Sequence, residues 1–250
     1  MNRSRWTKTA AAILSVALLT AGAVGGTLAW LSAKTAEVVN TFTYGDVDLK
    51  LDESKLLPDG SLDPATRVTE NTYKMIPGAV LPKDPTVTVL AGSEKIYLFV
   101  KLQKSENFTV DGTEYKFDDY LSFSVDSEKW TAIDDGDNSD LTTVYYRIAE
   151  SADTEQTFGV LKDNTVTVNS TVTKEMLNAL DKNGQAAADE TVYPKLTVTA
   201  YAMQYAGFEP KDPASGEKLE NPTAEELTAA AKAAWDAMVA QLNPPATPNP

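Results

Sequence analysis

Apolar residues in this chain recur at every second position, and that period admits few folds. In the run around Val47, Leu49 and Leu51, these three fall on one side of an extended strand, while Asp46, Asp48, Lys50 and Asp52 fall on the other, as a solvent face. Thr86–Leu90 and Lys95–Leu102 are β-branched and aromatic, with Ala91-Gly92-Ser93 marking the turn between them. Ile96, Leu98, Val100 and Leu102 share a face without charge, which predicts an inner strand. Phe108–Phe117 reads as a hairpin whose Asp111-Gly112 pair suits the two positive φ angles of a type I′ turn. Leu121–Val125, Trp130–Ile133, Leu141–Ile148, Thr157–Leu161, Thr165–Val172 and Leu196–Tyr205 continue the pattern. Roughly ten short strands separated by turns predict an all-β fold, a sandwich of two antiparallel sheets.

The period changes at both ends. Residues 1–29 have the form of a secretory signal helix: Arg3, Arg5 and Lys8, an apolar run over 9–24, then small residues. Thr27 and Ala29 fit a cleavage triplet that leaves Trp30 as the new N-terminus, with Ala21-Gly22-Ala23 as a competing junction. Retained instead, the segment is just long enough to anchor the chain in a membrane. At the other end, Thr223–Glu226 reads as a capping box, followed by Leu227, Ala231, Trp235, Met238 and Leu242 at helical spacing. This amphipathic stripe either packs on the sandwich end or meets a partner. A short helical turn is expected near Lys174–Leu180. The resulting division is a signal segment (1–29), a sandwich domain (30–208), an insertion (209–222), a C-terminal helix (223–243) and a disordered tail (244–250).

Composition narrows the chemistry. The chain of 250 residues has neither Cys nor His, so no disulfide, zinc site, imidazole base or Ser-His-Asp arrangement can be built from it. The formal net charge is −14; loss of residues 1–29, with three cations and no acid, leaves 19 basic against 36 acidic residues, net −17. Such a balance excludes nucleic acid as a partner. The loop carrying Asp134, Asp135, Asp137 and Asp140 offers oxygen ligands for calcium, or is a solvated hairpin loop; it lacks the EF-hand spacing. Trp130, Tyr145 and Tyr146 form either an aromatic sugar platform or sandwich core. Carboxylate, Lys or Tyr chemistry is all that an enzyme could use here, and no motif assembles it, so a non-enzymatic role is expected.

Gly25-Gly26-Thr27-Leu28-Ala29-Trp30, then Asn40-Thr41-Phe42 and Gly45-x-Val47-x-Leu49, resembles the N-terminal signature of the TasA–camelysin family. Ile76-Pro77-Gly78, Thr86–Val89, Gly92-Ser93 and Ile96–Val100 are similar to a second family block. Val198-x-Ala200-Tyr201-Ala202-x-Gln204, Gly207-Phe208 and Ala233-Ala234-Trp235 are similar to its closing block. The resemblance implies a jelly-roll-like sandwich, release by the signal peptidase SipW, and secretion to the matrix or surface of a Gram-positive bacterium. It also implies a structural role in biofilm fibres, alone or with related matrix proteins. In such fibres the N-terminal segment of one copy completes the sheet of the next; here that arm is Trp30–Phe42, with Trp30, Val38, Val39 and Phe42 as its apolar contacts. An unpaired arm seeking a neighbour is therefore expected. The insertion at 209–222 departs from the family pattern, and the metalloprotease activity described for some relatives is not carried over to a chain without His or Cys. A monomeric surface binder, an adhesin reading glycan or a host protein, is the alternative.

Overall fold

The computed structural model describes residues 32–36, 39–40, 47–137, 139–187 and 194–242. The signal segment, its junction at Thr27, Ala29 and Trp30, the arm residues Val38 and Phe42, and the tail lie outside the described residues.

The architecture is mostly antiparallel β, as the period-two pattern predicts. Its central sheet contains β1 (Ser32–Ala36), β2 (Val39–Asn40), β7 (Ile96–Lys104), β11 (Thr131–Ile133), β12 (Thr142–Ala149) and β15 (Leu196–Gln204). Their order is β11-β12-β7-β15-β1-β2. Facing it are β3 (Leu49–Leu56), β4 (Leu62–Val68), β6 (Thr86–Val89) and β13 (Gln156–Gly159), in the order β13-β6-β3-β4. Beside these lie β5 (Val80–Pro82), β10 (Leu121–Ser122) and β14 (Thr165–Val168), ordered β10-β14-β5. The two groups are joined along the chain. Lys83 N donates to Asn164 O (2.7 Å) and Val160 N to Pro85 O (3.0 Å), so β5–β6 and β13–β14 run on as two long bent strands. The bend is taken up at Asp163 and Asn164, whose φ angles of 56° and 52° fall in the left-handed region that Asp and Asn tolerate.

Between the sheets lies the main core: Val47 and Leu49, Val87 and Val89, Ile96, Leu98, Val100 and Leu102, Val166 and Val168, and Ala200 and Ala202. Each large side chain among them contributes roughly 1.5–3 kcal/mol over its exposed state. Some of the alternate residues of β7 and β15 are also buried. Tyr97, Phe99, Tyr201 and Met203 form a second core with Ala231, Ala234, Trp235 and Met238. These last four belong to a C-terminal helix, Ala224–Leu242, which caps itself through Thr223 and Glu226 as predicted: Thr223 N donates to Glu226 Oε2 at 2.7 Å and Glu226 N to Thr223 Oγ1 at 3.3 Å.

This corrects the expected place of that helix. It covers the outer face of the central sheet rather than the sandwich end, making a third layer. The cause is the unbroken apolar run Ile96–Val100, which offers two faces to bury and not one. The Trp235 ring stands 5.3 Å from both Phe99 and Tyr201, edge-on to the latter. Leu242, placed on the predicted stripe, is exposed.

The remaining elements are small. The β8 (Phe108–Val110) and β9 (Thr113–Tyr115) hairpin turns at Asp111-Gly112 with φ of 51° and 80°, as its sequence requires. It leads into a one-turn helix α1 (Phe117–Tyr120). Helix α2 spans Lys174–Ala187, twice the turn expected there, and the C-terminal helix is α3. The insertion is no bare linker: Lys211 bridges Lys218, and Asp212 N donates to Glu217 O (2.8 Å), closing a short hairpin.

Candidate assembly edge

β15 carries the candidate site because of what lies on its two sides. On one side β7 pairs with it along nine positions, from Leu196↔Lys104 to Gln204↔Ile96. On the other, β1 pairs antiparallel over three: Ser32↔Met203, Ala33↔Ala202 and Lys34↔Tyr201. Val39 and Asn40 of β2 in turn pair antiparallel with Ala36 and Thr35. Among the described residues, Leu196–Thr199 of β15 have no strand partner on the β1 side. The expectation of an unpaired arm is thereby corrected: residues 32–34 are bonded to the sheet of their own chain. They lie toward its rim, in register with β15, through few main-chain contacts. The small residue pair Ala33↔Ala202 sits at the centre of this register.

The other predicted site residues do not converge. Asp134, Asp135 and Asp137 each fold back on their own loop, accepting from Gly136 N (2.9 Å), Asp137 N (3.1 Å) and Ser139 N (2.9 Å). The hydrogen bonds from Ser139 hold the Asp137 carboxyl below its ordinary range. Asp140 ends the loop. Among the described residues no group of three or more acidic side chains is placed to hold a metal. Trp130, Tyr145 and Tyr146 form no platform. Trp130 is buried, its Nε1 donating to Gly159 O (2.8 Å), and Tyr146 lies under α3 with its hydroxyl 3.1 Å from Thr228 Oγ1. Tyr145 points the opposite way, into a cleft of 220 Å³ with Leu102, Lys104, Ser122 and Thr143. Pockets for small ligands typically enclose about 300–1,000 Å³.

One constellation escaped the sequence reading. Asp48 and Lys50 are exposed as expected, but Asp52, placed with them on the solvent face, is buried together with Glu53 and Ser54. Arg67 of β4 is the reason. Its Nε donates to Asp52 Oδ1 (2.7 Å), its Nη1 to Ser54 Oγ (2.8 Å) and Asp84 Oδ2 (3.0 Å), and its Nη2 to the Asp52 carbonyl (3.0 Å). Ser54 N and Oγ donate in turn to Asp84, both at 2.7 Å. Lys83 Nζ reaches Glu53 Oε2 at 2.8 Å. Burial works against the charge on Arg67, but the bond to Asp52 and the charges of Asp52 and Asp84 outweigh it and raise its pKa. The network holds the edge strand β4 to β3 where the register shifts between Ser54 and Lys55. No period marks it; an Asp-Glu-Ser triplet continuing an amphipathic strand was the available signal.

No family model, curated protein or solved structure matches the chain.

Proposed function

We propose that this chain is an exported, non-enzymatic structural protein of a cell surface or extracellular matrix, whose copies join by exchanging β1. Its sheets would take the jelly-roll-like arrangement, with the leader at 1–29 removed by a SipW-type peptidase. The supporting observation is the position of β1. It follows closely on the proposed cleavage junction and pairs with β15 through three residue pairs toward the sheet rim. A segment held that way makes the same contacts whether β15 belongs to its own chain or to a neighbour's. The balance between closed and exchanged states then rests on local concentration and on the strain of the connecting residues. Main-chain hydrogen bonds give the affinity, and alternate side chains the register.

The register supplies the test. The chain has no cysteine, so A33C with A202C introduces a single possible disulfide pair, at directly opposed strand positions. In material beginning at Trp30, oxidation of dilute protein should give an intramolecular bond and block filament growth. Oxidation after assembly should give covalent ladders on a non-reducing gel. Filaments built only of intramolecularly bonded copies would refute exchange. Monomers at every concentration would favour the monomeric surface binder instead.

A further inference from the structure

Beyond residue 29 the sequence holds two arginines, and the fold treats them oppositely. Arg67 is saturated by carboxylates, a hydroxyl and a carbonyl. Arg147, on β12, is half-buried, and neither a hydrogen bond nor an ion pair joins its side chain to a described residue. Its guanidinium carbon lies 4.0 Å from the Phe158 ring centroid and 5.5 Å from that of Trp130. Trp130 is itself fixed by its bond to Gly159 O, next to Phe158 on β13. The Arg147 Nε is enclosed without an acceptor, whereas its terminal nitrogens are not among the enclosed, unbonded atoms. Asp126 is the carboxylate whose charge it senses, but that group is committed elsewhere, 2.7 Å from Lys129 Nζ and accepting from Glu128 N at 3.2 Å. Burial accordingly pulls the Arg147 pKa down, and Asp126 offsets this only in part.

In a chain with 36 acidic residues, this guanidinium lies against two aromatic rings and makes no ion pair with a described carboxylate. Native structures rarely enclose a donor without an acceptor. We propose that Arg147, walled by Phe158 and Trp130, binds one carboxylate supplied from outside the folded chain. With the rings packed against the guanidinium, a carboxylate meeting its terminal nitrogens in the guanidinium plane would make a bidentate arginine–carboxylate pair. Because the cation is poorly solvated, an anion there gains more than it would at an arginine in water. The carboxylate has two possible sources: a free organic acid, or an Asp or Glu side chain of a second copy. The second source rests on the self-assembly reading above; the first does not.

The arginine Nε–H signals in a ¹⁵N–¹H spectrum distinguish these sources, because protein beginning at Trp30 carries two arginines and R147K assigns them. Glutarate is the probe and sodium chloride the control. Saturable movement of the Arg147 signal with glutarate, with Arg67 still and chloride without effect, identifies a free-acid receptor. Movement of the Arg147 signal on raising the protein concentration alone, with no glutarate present, identifies a second copy as the donor. R147K keeps the charge but not the planar fork and should weaken glutarate binding, read by titration calorimetry, about three- to tenfold. An Arg147 signal that drifts linearly and alike with glutarate and chloride, and ignores protein concentration, overturns the proposal. The disulfide ladders at Ala33 and Ala202 report on β1 alone, so the two readings can fail separately.

Discussion

Replacing Arg67 by Ala should cost far more than a surface arginine would. Asp52 and Asp84 are 7% and 16% exposed, and Arg67 is 25% exposed. Removal deletes four hydrogen bonds from the guanidinium and leaves two carboxylates largely out of water. Breaking a fully buried pair from one side costs about 3–5 kcal/mol. Two features reduce that here: solvent reaches a quarter of Arg67, and Lys50 Nζ still stands 2.6 Å from Asp52 Oδ2. About 2–3 kcal/mol remains. For a domain of this size that lowers Tm by about 4–12 °C, measurable by thermal and urea unfolding followed by circular dichroism. The double variant D52N with R67M should recover a large part of the loss, since it leaves fewer uncompensated charges while filling the same space. If R67A unfolds within about 0.5 kcal/mol of the parent protein, the network is a surface decoration and the reasoning fails.

Trp235→Ala removes the ring that Phe99 and Tyr201 pack against, and should cost about 3–5 kcal/mol. Its amide hydrogens should exchange faster along Ala224–Leu242 than in β7; a helix that stays fully protected would show that the third layer does not depend on this contact. The Asp137 carboxyl is held below the ordinary aspartate value of 3.8 by its bonds from Ser139. A depressed folded pKa contributes stability that is complete above the unfolded value and is lost as pH falls through the folded one. The loop turn should therefore stay closed down to pH 3.8 and loosen below it, seen as a Ser139 amide shift with its midpoint under 3.8; a midpoint above that value contradicts the assigned bond.

Local chemistry was legible wherever the cause lies within a few residues. The alternation of Ile96, Leu98, Val100 and Leu102 marks a strand face, Asp111-Gly112 a primed turn, and Thr223 with Glu226 a helix start, because each rests on the backbone geometry of neighbouring positions. β4 was not legible. Pro64 and charged residues interrupt its pattern, and an edge strand tolerates both, since one side of its ladder needs no donor.

Other outcomes were settled only when distant segments met. Asp52 alternates like a solvent-facing residue, and it is buried because Arg67, fifteen positions away, arrives beside it with Asp84, after which the charges satisfy one another. The same holds for Tyr97 and Phe99: their period permits an outer face, and the arrival of Trp235 from the far end of the chain makes it a second core. Sequence alone determined most of the strands, though not β4 or β5, and the amphipathic helix, through short-range sterics and side-chain period. Tertiary structure decided which faces are dry, where the helix lies and whose edge β1 occupies, because burial and strand pairing depend on partners that no local pattern specifies.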